Sequence, residues 1–373
     1  MIPFINLAAQ QKYLGNGIDD AIRKVLADGH YIGGAEVKEL ERQLAEFVGR
    51  KHAVACASGT DALRLPLLAM SVGPGDAIFT TPFTFFATAE VVGNVGATPV
   101  FVDVDARTYN LDPAKLEAAI QQVRQENKLV PRGVIGVDIF GQIADYEAIS
   151  AIAEHYDLWV MEDAAQSFGA RRHDRRAGAF GLVSATSFFP AKPLGCYGDG
   201  GMLFTDDDEL AVLCRSIAVH GKGVDKYDNV RLGVNSRLDT IQAAILLAKF
   251  RIFPEELERR DMVAATYTRH LDGLVTPPHV ETGNRSAWAQ YCVRSPRRGD
   301  LMAALKAADI PTAIYYPVPL HRATAFSALG YCEGSLPVAE QVAQDIFALP
   351  MHPYLTEETI TRIADVVRKT IGA

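Results

Sequence analysis

Short hydrophobic runs alternate with amphipathic stretches along much of the chain. The runs predict buried β-strands at residues 53–57, 77–80, 99–103, 134–137, 158–161 and 202–205. Helical patterns lie between several of them, at residues 62–70, 113–123 and 145–155. Strands that alternate with helices usually form a parallel sheet covered by those helices, so the pattern predicts an α/β fold with a mainly parallel sheet.

The character of the chain changes near residue 250. Pro254 and the charged run 255–261 follow a long apolar helical pattern. The remainder again alternates a predicted strand with predicted helices, at residues 288–293, 301–308 and 338–347. We therefore predict a large domain over residues 1–250 and a smaller C-terminal α/β domain over residues 251–373.

One lysine, Lys192, lies among aromatic residues, prolines and glycines in the segment 187–201. An unpaired ammonium in such surroundings loses hydration worth several kcal/mol, and Pro193 favours extended backbone at Lys192. A desolvated lysine can lose its proton near neutral pH and form a Schiff base with a carbonyl. Taken alone, the segment is more typical of a lysine that reaches solvent from a glycine-rich loop, so other residues must decide between the two roles.

An acidic residue, Asp163, follows the predicted strand 158–161 and precedes Lys192 by 29 residues. Open α/β sheets bind ligands at the carboxyl ends of their strands, so both residues can face one crevice. A carboxylate there could keep a pyridinium nitrogen protonated, which makes the ring of pyridoxal phosphate (PLP) an electron sink. A helix N-cap is the alternative role for Asp163.

A candidate anion site follows the first predicted strand. The residues Ser58-Gly59-Thr60-Asp61 lead into the helical stretch 62–70, so backbone N–H groups and two hydroxyls meet at a helix N-terminus. Each hydrogen bond to a charged group contributes roughly 1.5–3 kcal/mol, so several could hold a phosphate. An ordinary helix cap is the alternative. The chain has neither a G-x-G-x-x-G motif after a strand nor a P-loop, which disfavours dinucleotide and P-loop binding.

Composition excludes several classes of protein. The 373 residues carry a formal net charge of −8, which argues against nucleic acid as a partner. The five cysteines form no C-x-x-C pair and the nine histidines show no metal-ligand spacing, so we expect neither disulfides nor a metal. The amino terminus lacks a basic export signal and the apolar run 243–248 is too short to span a membrane. We therefore expect a cytoplasmic protein.

Six segments occur in an order that is typical of one family. They are residues 58–63, 73–76, 82–85, 162–167, 187–201 and 235–244. Together they resemble the PLP-dependent nucleotide-sugar aminotransferases of the DegT/DnrJ/EryC1/StrS family over nearly the whole chain. The resemblance implies the fold type I architecture of aspartate aminotransferase, with a mainly parallel seven-stranded sheet. Segments 188–201 and 233–237 are most similar to enzymes that aminate a UDP-linked 3-keto-N-acetylglucosaminuronic acid for bacterial surface polysaccharide such as O-antigen.

The resemblance implies a role for each residue around the cofactor ring. Lys192 would form the Schiff base with PLP and then act as the base that moves a proton. Asp163 would pair with the pyridine nitrogen, Gln166 would lie near the ring and its phenolic oxygen, and Phe85 would stack on the other face. L-Glutamate would thereby become 2-oxoglutarate and PLP would become pyridoxamine phosphate, which aminates the keto sugar in the reverse sequence.

Further roles concern the phosphate and the subunit interface. The resemblance implies that Gly59, Thr60 and Ser187 bind the cofactor phosphate. It also implies that Asn235 reaches the phosphate bound by a neighbouring subunit, which requires a homodimer with shared active sites.

The residues assigned to the sugar are three. The resemblance implies that Arg237 faces the sugar carboxylate across the subunit interface, although a structural salt bridge is an equal alternative. Tyr316 and His321 would line the sugar site. The subfamily often has histidine where Tyr315 stands, so sugar recognition is expected to differ in detail.

Other functions on the same scaffold are an aminotransferase for another 3-keto or 4-keto sugar linked to UDP, dTDP or GDP, a PLP-dependent sugar dehydratase, and a non-catalytic regulatory protein. Dehydratases of this family replace the catalytic lysine with histidine, whereas this chain keeps Lys192. Retention of the lysine, the aspartate and the phosphate segment together also favours an enzyme over a regulator.

Overall fold

A computed structural model describes residues 2–225 and 227–372. Within this part of the chain the helices are α1 Leu7–Leu14, α2 Gly17–Asp28, α3 Ala35–Val48, α4 Gly59–Ala69, α5 Ala87–Asn94, α6 Pro113–Glu126, α7 Tyr146–His155, α8 Asp208–Ile217, α9 Thr240–Phe250, α10 Phe253–Leu271, α11 Arg298–Ala307, α12 Pro337–Asp345 and α13 Glu357–Ile371. The strands are β1 His52–Cys56, β2 Asp76–Thr80, β3 Thr98–Phe101, β4 Val130–Val137, β5 Trp159–Asp163, β6 Arg171–Arg172, β7 Arg175–Arg176, β8 Val183–Ser187, β9 Gly201–Thr205, β10 Asn284–Arg285, β11 Tyr291–Arg294 and β12 Ile346–Leu349.

The largest sheet has seven strands in the order β1-β9-β8-β5-β4-β2-β3. Strands β3, β2, β4, β5 and β8 pair in parallel, and β9 runs antiparallel to both of its neighbours. The prediction of an α/β fold with a mainly parallel seven-stranded sheet is therefore confirmed. In this arrangement the carboxyl ends of β5 and β8 lie side by side.

Helices cover both faces of this sheet, which explains why its strands are continuous hydrophobic runs. On one face α3, α6, α7 and α9 contribute to a core that includes Leu44, Ile120 and Leu246. On the other face α4, α5 and α8 contribute Leu65, Val92 and related side chains. The strands between these two layers are buried on both sides, so polar groups collect at the strand ends.

Local sequence accounts for several helix boundaries. The side chains of Asp112 and Asp145 accept backbone N–H groups at the starts of α6 and α7, and Pro113 occupies the first turn of α6. Helix α3 ends at Gly49, which has φ +80°, a conformation that glycine adopts without steric cost.

The C-terminal part differs from two of the sequence expectations. The predicted helix 338–347 ends at Asp345, and the next four residues form β12, which pairs antiparallel with β11. All four side chains of β12 are buried. Their burial, together with backbone pairing to β11, favours a strand over a longer helix. The predicted strand 288–293 begins only at Tyr291 because Trp288 has φ +51°, which is incompatible with a strand.

Pro254 lies in the first turn of α10, the 19-residue helix that begins directly after α9. Helices α10, α11 and α13 pack with β11 and β12 around a separate core that includes Tyr291, Phe347 and Ile363. The division into domains at residue 250 stays a prediction. None of the helices within residues 2–225 and 227–372 is long and apolar enough to cross a membrane.

Candidate active site

Three of the predicted site residues meet at the carboxyl edge of the main sheet. Asp163 ends β5 and Ser187 ends β8, and these two strands are parallel neighbours. Gly59 begins α4 and lies against Ser187, since a Cβ atom at Gly59 would come within 2.6 Å of the Ser187 Cβ. Only glycine allows the two segments to approach this closely.

Asp163 is buried, and two donors hold its carboxylate. The Thr88 hydroxyl donates to Oδ2 at 2.8 Å and the Ala165 N–H donates to Oδ1 at 3.2 Å. Burial raises the pKa of Asp163, while these hydrogen bonds and the charge of Lys192 act in the opposite direction. The acid therefore lies in an environment that favours a cationic or N–H partner.

Thr88 was missed by the sequence analysis. It lies on α5, is 1% exposed, and its hydroxyl is 3.0 Å from the hydroxyl of Thr84. The only local signal is a threonine pair at i, i+4 beside an otherwise apolar helical segment. That signal does not identify Asp163 as the partner, because the two residues are 75 positions apart.

Lys192 follows β8 in a turn that is closed by its own N–H, which donates to the Phe189 carbonyl at 2.8 Å. The side chain is half-buried. Burial lowers the pKa of Lys192, and the charge of Asp163 opposes this shift. The surroundings of Lys192 therefore make its amine more readily deprotonated than that of an ordinary lysine, and a crevice shared by Lys192 and Asp163 stays a prediction.

A second lysine, Lys249, supports the segment that carries Lys192. Its ammonium donates to the Gly195 carbonyl at 2.7 Å and lies 4.2 Å from the centre of the Tyr197 ring. Lys249 is 1% exposed, and burial lowers its pKa to about 8. The sequence analysis did not single it out, because a basic residue in the last turn of a helix normally interacts with the helix end.

The predicted phosphate residues surround the N-terminus of α4. Ser58 caps this helix by accepting the Asp61 N–H at 3.1 Å. The first-turn N–H groups of Gly59 and Thr60 have no partner within the helix and can donate to an anion. A side chain at Gly201 would collide with the Ser58 carbonyl, so glycine is required there as well.

Gln166, Tyr316 and Phe85 lie next to one another. The Gln166 side-chain oxygen accepts the Phe140 N–H at 2.8 Å, and its NH₂ group donates to the Tyr316 hydroxyl at 3.2 Å. The rings of Phe85 and Tyr316 are 6.4 Å apart. Phe85 is 57% exposed, which is unusual for phenylalanine and leaves a ring face available for stacking.

Asn235 and Arg237 contact each other on the surface of the chain. Both are exposed, and the Arg237 Nε donates to the Asn235 Oδ1 at 3.0 Å. Between them, buried Ser236 accepts the Ala57 N–H at 3.1 Å, next to the phosphate segment. In the part of the chain that the structure describes, Arg237 has no carboxylate within 4.0 Å, so the alternative of an intrachain salt bridge finds no partner.

His321 is buried. Its Nε2 is 2.9 Å from the Glu340 carboxylate, and its ring contacts that of Tyr331 with 5.9 Å between the centroids. Its predicted contact with a sugar stays a prediction. Among residues 2–225 and 227–372, no three metal-ligating side chains are grouped as a metal site would require.

The fold and the site define a fold type I PLP-dependent transferase. The model of the DegT/DnrJ/EryC1/StrS aminotransferase family matches residues 12–368, so the chain belongs to that family. The resemblance stated from the sequence is therefore confirmed.

Three comparisons describe its relatives. The chain is 50% identical over 363 residues to the UDP-2-acetamido-2-deoxy-3-oxo-D-glucuronate aminotransferase of Pseudomonas aeruginosa, covering 96% of this chain and 98% of that one. A crystal structure of a DegT DnrJ EryC1 StrS aminotransferase from Brucella abortus has a TM-score of 0.98 and 52% identity, with 100% of both chains covered. The crystal structure of ntda from Bacillus subtilis with bound cofactor PMP has a TM-score of 0.91 and 26% identity, covering 100% of this chain and 85% of that one.

Proposed function

We propose that this protein is a PLP-dependent aminotransferase that moves an amino group from L-glutamate to UDP-2-acetamido-2-deoxy-3-oxo-glucuronic acid. The single observation that carries the aminotransferase chemistry is the match of the aminotransferase family to residues 12–368, in a chain that keeps Lys192 after β8 and the buried carboxylate of Asp163 at the end of β5. The choice of sugar is supported by the 50% identity to the enzyme from Pseudomonas aeruginosa.

The residues present fit the proposed cofactor. Asp163 offers a buried carboxylate to a ring N–H, and the N–H groups of Gly59 and Thr60 with the Ser187 hydroxyl form a cradle for a phosphate. Gly59 matters here because a Cβ atom would collide with Ser187. When bound, PLP supplies an aldehyde that captures amines and a ring that accepts an electron pair.

The chain's own groups then have defined tasks. With PLP and glutamate bound, the uncharged amine of Lys192 would take the proton from the α-carbon of glutamate and would return it to the cofactor carbon on the other side of the amino nitrogen. Asp163 would hold the N–H of the cofactor ring and so keep the ring nitrogen protonated, and Phe85 would offer its exposed ring as a stacking surface. The depressed pKa of Lys192 serves this task because only the deprotonated amine can accept a proton.

We further propose a homodimer in which Asn235 and Arg237 complete the partner's site. Asn235 and Arg237 are both exposed beside buried Ser236, so a second subunit can contact them. The planar guanidinium of Arg237 is suited to binding a carboxylate. A role in bacterial surface polysaccharide biosynthesis in the cytoplasm follows from the proposed substrate.

The experiment that tests the function is product analysis with purified protein. Glutamate is offered with the UDP-linked 3-keto uronic acid, its uncharged 6-hydroxy counterpart and a dTDP-linked 4-keto sugar. We expect amination of the uronic acid and a visible absorption band from bound PLP that Lys192→Ala alters. Preference for the 4-keto sugar would refute the substrate, and absence of any PLP band or amination would refute the aminotransferase.

A further inference from the structure

We propose that Tyr316 is an obligatory hydrogen-bond donor to an acceptor oxygen of the bound ligands, and that the backbone N–H of Phe140 imposes this direction through Gln166. The inference rests on the proposed function. Tyr316 then does more than line the sugar site. Gln166 determines the direction of its hydrogen bonds: the Tyr316 oxygen accepts from Gln166, and the Tyr316 proton is left for a ligand.

The first step concerns the orientation of the Gln166 amide. A backbone N–H can only donate, so the group that faces Phe140 at 2.8 Å must be the Gln166 oxygen. Phe140 has φ +59°, a conformation that is uncommon for residues other than glycine and costs energy. Gln166 is 3% exposed, so solvent does not compete for this contact. The amide is therefore held in one orientation.

The second step follows from the first. With its oxygen directed to Phe140, Gln166 presents its NH₂ group to Tyr316 at 3.2 Å. An NH₂ group of an amide can only donate, so the Tyr316 oxygen is the acceptor. The hydroxyl proton of Tyr316 is left over, and within residues 2–225 and 227–372 no group accepts it. This proton is the donor that we assign to a ligand.

The third step concerns what surrounds the hydroxyl. The Tyr316 ring contacts the rings of Phe83 and Phe85, with 6.2 Å and 6.4 Å between the ring centroids. Burial raises the pKa of Tyr316, the hydrogen bond from Gln166 lowers it, and the Asp163 carboxylate raises it, with burial as the largest effect. The phenol therefore remains protonated at neutral pH and cannot serve as a base. Its position beside Gln166 and Phe85 directs it towards either the phenolic oxygen of the cofactor or an oxygen of the keto sugar.

The test is a set of variants in which Tyr316→Phe is made in three backgrounds. In the parent, removal of the donor should lower kcat/KM for amination roughly 5- to 150-fold, the effect of leaving one buried acceptor without its hydrogen bond. In Gln166→Glu, the ionised carboxylate accepts hydrogen bonds from both the Phe140 N–H and the Tyr316 hydroxyl. The Tyr316 proton is then no longer available to a ligand. Adding Tyr316→Phe to Gln166→Glu should therefore change kcat/KM less than 3-fold.

Gln166→Leu is the matched control, because leucine neither donates nor accepts. In that background the Tyr316 proton stays free, so Tyr316→Phe should lower kcat/KM by the same factor as in the parent. Tyr156→Phe removes a hydroxyl that bonds Glu117 far from the site and controls for loss of a phenol. An equal cost of Tyr316→Phe in the Gln166→Glu and Gln166→Leu backgrounds would overturn the imposed direction.

Two readouts distinguish the acceptor oxygens. If the cofactor oxygen is the acceptor, Tyr316→Phe should raise by about one unit the pH at which the visible band of bound PLP titrates, because the lost donor stabilised an anion. If a sugar oxygen is the acceptor, that titration should be unchanged and only the sugar half-reaction should slow. Either result supports the donor role. Parental behaviour of Tyr316→Phe in both measurements would overturn it, while failure of the parent to bind PLP or aminate any sugar would instead refute the proposed function.

Discussion

Thr88→Val removes the hydroxyl that donates to Asp163 while nearly preserving the shape of the side chain. The hydrogen bond is 2.8 Å long and its residues are 1% and 5% exposed, so solvent does not replace the donor. A hydrogen bond to a charged group contributes roughly 1.5–3 kcal/mol, and one to a neutral group roughly 0.5–1.5 kcal/mol. We expect the free energy of unfolding of the cofactor-free variant to fall by the larger amount when Asp163 is ionised and by the smaller amount when Asp163 is protonated.

The sign of the pH dependence follows from the pKa of Asp163. Burial raises this pKa above 3.8, and loss of the hydroxyl raises it further because the hydroxyl stabilises the ionised form. An acid with a higher pKa in the folded state binds more protons when folded, so rising pH destabilises the fold. The penalty of Thr88→Val should therefore grow as the pH rises through the pKa of Asp163.

Urea unfolding of the cofactor-free parent and variant at about pH 5 and pH 8 measures this penalty as a difference in free energy of unfolding. Thr88→Ser keeps the hydroxyl and is the control, which should lose stability equally at both pH values. A Thr88→Val penalty that is the same at both pH values, or smaller than that of Thr88→Ser at pH 8, would refute the assigned contact.

Three further changes probe the catalytic groups. Asp163→Asn should lower kcat of the glutamate half-reaction more than it weakens PLP binding, as measured by stopped-flow absorbance and cofactor titration, because it loses the charge that stabilises a protonated ring nitrogen. Mixing Lys192→Ala with Asn235→Ala subunits should restore activity, because one site of each heterodimer then carries neither defect. Arg237→Ala should lower kcat/KM for the uronic acid by roughly 10- to 150-fold while leaving the glutamate half-reaction nearly intact.

Each of these expectations has a contradicting outcome. Unaltered half-reaction kinetics in Asp163→Asn would remove the carboxylate from the mechanism. A fully active monomer in sedimentation would exclude sites shared between subunits. Equal losses of Arg237→Ala on the uronic acid and on its 6-hydroxy counterpart would show that the arginine does not recognise the carboxylate.

Features with local causes were predictable from the order of the residues. The continuous hydrophobic run 134–137 predicted a strand because both faces of that strand are covered, and β4 indeed includes these residues. The segment 58–61 leads into the helix predicted from residue 62, with a helix cap as one of its possible roles; α4 begins at Gly59, and the Ser58 hydroxyl caps an N–H only three residues away. Lys192 was recognised as a candidate because the aromatic residues, prolines and glycines around it in the sequence disfavour both a hydrated and a helical environment.

The tertiary structure decided the features that depend on partners distant in the chain. Residues 346–349 continue a helical pattern, yet they form β12 because β11 supplies a pairing partner more than fifty residues away. Thr88 became a contact of Asp163 only when α5 was placed beside the end of β5. The direction of the Gln166 amide likewise depends on the Phe140 N–H, and its effect depends on Tyr316, 150 positions further on. Hydrogen-bond polarity is a property of two groups in space, so no local pattern of residues determines it.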